Sequence, residues 1–350
     1  MLATAAALAV LMHAYGAYLL TLPWNPYLPV LWWVVFLLAV WSITLDDLAM
    51  LPVAVFAGSF AMQTHIPYLG LVGGVGACTV AWLAWRARRV RAEPAFGRAL
   101  VRYGLGAVVL FAVVWAPPVV DEIVHEPGNI TTIREHFGDP PEEPVGLATG
   151  VESLLTQMNP WRLVSQTLVD DARARPVSGS PWPGALLLAG FAVSAATAIG
   201  LRHRRLVALH AVLGVAIALG VVSAARIFGF VWYYLLLWAW GLAALVLLAI
   251  GWTVVASARR RREDLAAIGP APRRRRRRVR RRARRVRRRA RARRRGHRRA
   301  GARRSTRRSG VSSTRRPPPS SAWRKAGGRA RCSSRGCPTR SRSAARGSAC

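Results

Sequence analysis

The sequence predicts an all-α polytopic membrane protein: about eight transmembrane helices, a large exterior loop and a disordered basic C-terminal tail. Three observations lead there. Residues 1–258 contain repeated apolar stretches, and crossing a hydrocarbon core of about 30 Å takes roughly 20 apolar residues of helix. That region has no lysine and carries 14 Arg against 13 acids, close to neutral. Its arginines gather in a few connecting segments, as they do in membrane proteins that obey the positive-inside rule.

The formal charge of +37 belongs to the other end. Residues 259–350 hold 38 of the 52 Lys and Arg and only two acids, Glu263 and Asp264. Two parts follow: a transmembrane helical bundle over 1–258, with an exterior loop at 118–183, and an Arg-rich cytoplasmic tail over 259–350. The four cysteines form no CxxC pair, so neither a disulfide framework nor a zinc module is supported. Only helices or closed barrels satisfy their backbone groups in lipid, and these apolar runs are too long for barrel strands.

The spans are expected near 3–22, 28–45, 47–63, 67–85, 99–117, 184–201, 206–224 and 230–256. The Met1 segment is apolar from its second residue and reads as a spanning helix, not a cleaved signal peptide. The third span is short and needs tilt or local thinning. Arg86, Arg88, Arg89 and Arg91 follow the fourth span, and Arg202, Arg204 and Arg205 follow the sixth. An even number of spans separates the two clusters, so both fall on the cytoplasmic side, with Arg259–Arg262 and both termini. Residues 118–183 are then exterior, and they carry ten acids against four Arg. Trp24, Tyr27, Tyr68, Trp232 and Tyr233 fall near the outer boundary, where an aromatic belt is expected. Within the loop, Thr131 or Thr132 could cap a short helix with Glu135 near its N3 position, and 150–158 reads as an amphipathic helix. A connection of this length is expected to pack over the outer helix ends.

Hydrolase elbow, phosphate loop, HExxH and dinucleotide fingerprints are all absent. The candidate site residues are polar groups at the outer face. Gln63 and His65 close the third span, as hydrogen-bonded helix-end groups or as contacts to a phosphate or sugar. Asp121 and Glu122 form a paired carboxylate that reads as solvated loop charge, a seat for a divalent cation or a general base. Asp46-Asp47 looks similar but falls on the cytoplasmic side. Arg226 suits bidentate phosphate recognition and equally suits snorkelling to headgroups. His13 and His210 read as satisfied bundle-interior histidines, and Gly70, Gly73, Gly74 and Gly76 as a close-packing helix face.

Several strings, in order, resemble a known class. They are Pro23-Trp24-Asn25-Pro26, the run from Gly58 through Gln63 and His65 to Tyr68, and Trp115-Ala-Pro-Pro-Val-Val-Asp121-Glu122 followed by Pro127-Gly128-Asn129. The last is Arg226-Ile-Phe-Gly229 leading into Tyr234, Trp238 and Trp240. Together they resemble the later part of actinobacterial GT-C-like integral membrane glycosyltransferases, similar to dolichyl- or polyprenyl-phosphate-mannose enzymes. The resemblance covers about residues 1–256. It implies an exterior-facing transferase moving sugar from a polyprenyl-phosphate donor to a cell-envelope acceptor. Gln63, His65, Asp121, Glu122, Asn129 and Arg226 would be accessory substrate-binding residues. The class carries its catalytic acids in the first exterior loop. Here that segment, Pro23–Tyr27, has none, so the match is to the C-terminal portion and no catalytic residue carries over. A non-catalytic membrane scaffold or transporter-like subunit is the alternative.

Beyond Pro272 the chain is Arg, Ser, Ala, Gly and Pro without an acid, a composition that buries no core. Three readings compete: attraction to anionic cytoplasmic lipid, non-specific nucleic-acid binding, and translation of a G+C-rich gene in a shifted frame, which the lack of any acid over 265–350 favours. None of them implies a specific nucleic-acid partner.

Overall fold

A computed structural model describes residues 23–89, 93–163 and 175–268, with scattered positions between 5 and 21. Nine α-helices are described in full: α1 (Pro29–Ile43), α2 (Leu51–Thr64), α3 (Tyr68–Arg89), α4 (Pro94–Val124), α5 (Asn129–Gly138), α6 (Gly146–Gln157), α7 (Trp182–Gly200), α8 (Arg204–Ala225) and α9 (Trp238–Ile268). Among the described residues there is no strand, only two isolated bridges, Pro144 with Phe228 and Pro176 with Trp232. Five helices are long and apolar enough to cross a membrane, namely α3, α4, α7, α8 and the stretch Tyr233–Leu265. Two shorter apolar helices, Pro29–Ile43 and Leu48–Thr64, accompany them. The first expected span lies mostly outside the described residues. His13, expected inside the bundle, is exposed, as are Ala9 and Val10 beside it.

The core runs along α1 and α9. Trp33 of α1 and Trp238 and Trp240 of α9 are among the largest fully buried side chains. Around α9 pack α1, α7 and α8, while α2 lies between α1 and α4. The peripheral helix is α4. Ala107 is its one buried residue, and Val101, Leu105, Val108, Phe111 and Val113 stand exposed along it. In water such a face would be costly; against lipid tails it is not.

Two expectations shift at the helix ends. The span expected at 99–117 runs on to Val124, through Pro117 and Pro118. A proline inside a helix removes one N–H and frees the carbonyl four residues back. For Pro118 that carbonyl is Val114, and the Gln63 side-chain amide donates to it at 3.2 Å. At the other end, the helix expected to stop near 256 continues through Arg259–Arg262 to Ile268. Arg260 and Asp264, four residues apart, lie 3.6 Å from each other there, the spacing that supports a helical turn. The tail beyond 268, with the lipid, nucleic-acid and shifted-frame readings, lies outside the described residues. Of the expected glycine face, only Gly74 makes a close approach, against Leu219 of α8; Gly70, Gly73 and Gly76 face open space.

One end of the bundle is tied by charge. Helix α1 closes in a Schellman arrangement, with Asp46 N–H bonded to the Ile43 carbonyl and Asp47 N–H to Ser42. Asp46 takes the left-handed position (φ 73°) usually given to glycine. Its carboxylate then meets Arg86 Nε at 2.9 Å and Nη2 at 3.2 Å, and Arg204 Nη2 at 2.7 Å. The α1–α2 connection and the arginine-bearing ends of α3 and α8 are therefore at the same end. These are three segments that the charge pattern assigns to one side.

Candidate functional site

The opposite end is built around the turn between α8 and α9. After Arg226 the chain makes a bend at Gly229 (φ 68°) and a 3-10 turn, Tyr233–Leu236. Residues from the long α4–α7 connection pair with it on both sides. Val145 N–H bonds the Ile227 carbonyl at 2.9 Å and Gly229 N–H the Glu143 carbonyl at 3.2 Å. Further on, Val177 N–H bonds Val231 at 2.8 Å and Tyr233 N–H bonds Arg175 at 3.0 Å. Helix α6 and the 3-10 turn after it, Pro160–Leu163, sink further than surface elements would: Leu154, the cap residue Met158 and Leu163 join the core.

Two cavities flank this turn. The first, about 670 Å³, is lined mainly by apolar side chains from α3, α8 and the connection, with His65, Arg226, Glu142 and His136 as its ionisable groups. The second, about 360 Å³, is more polar and includes Gln157, Arg162, Arg175 and Tyr233 in its wall. Tyr233 lines one and Leu235, two residues on, lines the other.

His65 follows the last residue of α2 in extended backbone. Its ring stands 6.2 Å from Tyr68 and 6.4 Å from Tyr234, centre to centre. Burial pushes its pKa down to about 4, with the Tyr234 backbone pulling weakly the other way. Its Nε2 is buried and has no hydrogen-bond partner among the described residues. Arg226 is exposed, and among the described residues its guanidinium enters no hydrogen bond or ion pair. Several of the rings expected in an aromatic belt pack against one another. Tyr27, Tyr68 and Tyr233 are buried, and Trp24 sits edge-on to Tyr27 at 4.9 Å and Tyr234 at 5.4 Å. Two hydroxyls, Tyr27 and Tyr233, meet at 3.4 Å. The turn after α8 folds back over these rings, and among the described residues the buried Tyr68 hydroxyl has no hydrogen-bond partner.

Asp121, Glu122 and Asn129 also come together, but as a helix cap. The Asp121 carboxylate accepts from Asn129 N–H at 3.1 Å and Asn129 Nδ2 at 2.7 Å, and pairs with His125 at 3.0 Å. Glu122 accepts from Ile130 N–H at 2.8 Å, from Thr131 N–H at 3.1 Å, and from the Thr131 hydroxyl. The paired carboxylate thus supplies the acceptors that the first turn of α5 requires. The expected cap from Thr131 or Thr132 is replaced: the N-cap is Gly128, which has no side chain to cap with. Glycine is needed there because a Cβ would collide with Glu122. Gln63 is set apart from both groups, bonded to Val114. Among the described residues no three His, Cys, Asp or Glu side chains converge as a metal site.

The sequence reading missed Gln157, Arg162 and Glu142 as site residues. Gln157 is buried (1 % exposed), an unusual place for an amide, and takes the Trp240 Nε1–H at 2.9 Å. His210, by contrast, has both ring nitrogens bonded, to Ser194 Oγ and the Leu206 carbonyl, each at 2.8 Å. No protein-family model matches this chain, and no curated protein or solved structure shows detectable similarity to it.

Proposed function

We propose that the protein is a multi-pass cell-membrane protein acting on a polyprenyl-phosphate-linked sugar, as the later part of a GT-C-like glycosyltransferase. The observation that carries this is the 670 Å³ cavity, apolar along its walls, with the uncommitted Arg226 guanidinium and the partnerless His65 Nε2 among its lining. An isoprenoid chain suits the apolar walls, and a guanidinium suits its phosphate through paired N–H donors. The strings that resemble the family supply the substrate class. Eight spans, cytoplasmic termini and an exterior 118–183 complete the topology in this reading. The apposition of Asp46, Arg86 and Arg204 supports it, since all three belong to segments assigned to one side. A second reading, a non-catalytic scaffold, draws on the Asp121–Glu122 pair being engaged in capping α5.

The test is retention of a polyprenyl phosphate by the full chain in neutral nanodiscs, against the matching polyprenol. The phosphate form is expected to bind more tightly, with Arg226→Gln losing about tenfold, near 1.4 kcal/mol. Equal binding of the two lipids, or an Arg226→Gln variant that binds as well as the parent, would overturn the proposal.

A further inference from the structure

A groove of about 530 Å³ lies between α7 and α9, away from the turn after α8. Gly190, Ser194 and Thr197 line it from α7, and Ile250, Ser257 and Arg261 from α9. Each set recurs at helical spacing and so forms one face of its helix. Small residues keep the two faces from filling the space: a Cβ at Gly190 would meet only Ile250 Cδ1, at 3.7 Å. The wall is apolar despite its hydroxyls. Thr197 donates to the Val193 carbonyl, Thr253 to Ala249 and Ser257 to Thr253, each at 2.8 Å. Ser194 Oγ is bonded to His210 Nε2, also at 2.8 Å. These hydroxyls are satisfied within the bundle, so a polar solute gains little by entering.

One end of the groove carries charge. Arg261 stands one turn past Ser257, where the apolar run of α9 gives way to Arg259–Arg262. Arg260 has Asp264 at 3.6 Å, whereas Arg261 enters no hydrogen bond or ion pair among the described residues. It takes no part in the Asp46 cluster, although it belongs to the same end of the bundle. Trp252 of α9 packs edge-on to Trp41 at 5.8 Å and to His203 at 5.9 Å, beside the start of α8. An apolar trough therefore ends at a guanidinium where its helix leaves the apolar run. A phospholipid presents the same order, acyl chain and then phosphate. Arginine suits the phosphate oxygens through paired N–H donors, and its charge draws anionic headgroups.

We infer that the α7–α9 groove seats one acyl chain of an anionic phospholipid, with Arg261 on its phosphate headgroup. The site requires the helices to lie in a bilayer and does not depend on what the Arg226 cavity binds. It differs from attraction of anionic lipid to the basic tail, because it selects by shape as well as by charge.

The experiment is photo-crosslinking of the full chain in phosphatidylcholine nanodiscs, with crosslinked residues mapped by mass spectrometry. The probe is a small fraction of phosphatidylglycerol, or of phosphatidylcholine, carrying a diazirine in its acyl chain. Such a probe reports from the hydrocarbon, so attraction to the tail alone leaves no mark. The start of α4 is the reference for lipid that only surrounds the protein. Val101, Leu105 and Val108 are exposed there, and Arg98 and Arg102 give it comparable charge. It lies at the same end, since Arg86 stands over the Phe96 ring at 5.5 Å.

The ratio of phosphatidylglycerol to phosphatidylcholine capture should be about fivefold higher in the groove than on α4, from one added charge contact. Arg261→Gln should bring the two ratios together. Ala258→Leu, which adds bulk to the groove wall, should lower capture of both probes there and leave α4 unchanged. Should that variant fold poorly, the parent and Arg261→Gln still decide. Equal ratios in the parent, or a difference that survives Arg261→Gln, would overturn the inference. So would a labelled α4 beside an unlabelled groove, since a second copy or another part of the chain would then fill the space.

Discussion

The two ends of this bundle treat arginine in opposite ways. At one, Asp46 is shared by Arg86 and Arg204, and three helix ends are joined through one carboxylate. At the other, the Arg226 guanidinium has no partner among the described residues, and Arg162 donates to an amide and a carbonyl. Charge that is neutralised inside the protein builds the fold. Charge that is oriented but left open is available to something outside it. The same residue type thus separates architecture from candidate chemistry, and that contrast can be broken by pH and by substitution.

The largest expected effect is a separation of the two ends along the pH axis. His65 has its folded pKa depressed from 6.5 to about 4. Below 6.5 the unfolded chain takes up a proton that the folded chain refuses, so stability falls as pH drops from 6.5 towards 4 and then levels. The full loss is on the order of 3 kcal/mol. Asp46 behaves differently: its pKa is lowered, chiefly by the Arg86 hydrogen bond, from 3.8. Its contribution is fully present above 3.8 and is lost only as pH falls below that value. Near pH 5, hydrogen exchange should therefore rise around the His65 turn while the Asp46 turn stays protected. A His65→Phe variant should lose the slope between 6.5 and 4. Simultaneous loosening of both ends would show that they are not independent.

A smaller effect tests the closed end directly. Asp46→Asn keeps the shape but removes the charge two arginines share, so a loss of about 1–2 kcal/mol is expected, between exposed and buried pairs. Thermal unfolding at neutral pH measures it, and high salt should shrink it because the side chain is partly exposed. An unchanged midpoint would mean that the cluster marks the helix ends without holding them. Arg226→Gln, in the same measurement, should leave stability nearly unchanged.

Much of the helical layout is legible in the sequence. The expected spans at 28–45, 184–201 and 206–224 match α1, α7 and α8 closely. Apolar runs bounded by Pro, Arg or Gly give those ends away, and the charge clusters point to segments that do meet. Less legible is whatever needs a distant partner. Pro117-Pro118 reads as a stop, yet α4 continues because Gln63 fills one of the vacated acceptors. Asp121-Glu122 reads as loop charge, and only the return of the chain at Gly128 turns it into a cap. The sequence reads 150–158 as an amphipathic helix without marking Gln157, which is buried and accepts from the Trp240 indole. That His65 and Arg226 line one cavity depends on the turn folding back after α8, which no local pattern encodes.

The smallest expected effect lies near the His65 end, where α2 meets α4, and takes the form of a coupling. Gln63→Leu leaves the Val114 carbonyl without its side-chain donor, at a cost of about 1 kcal/mol. Pro118→Ala returns a backbone N–H to that carbonyl, so in its background the same Gln63→Leu change should cost almost nothing. The double-mutant cycle should then show a coupling of about 1 kcal/mol between residues far apart in sequence. Additive effects would mean that the amide is merely parked against α4. A clear coupling would place Gln63 with Asp46, among the polar groups that build the bundle, and leave Arg226 and Arg162 as the ones that face outward.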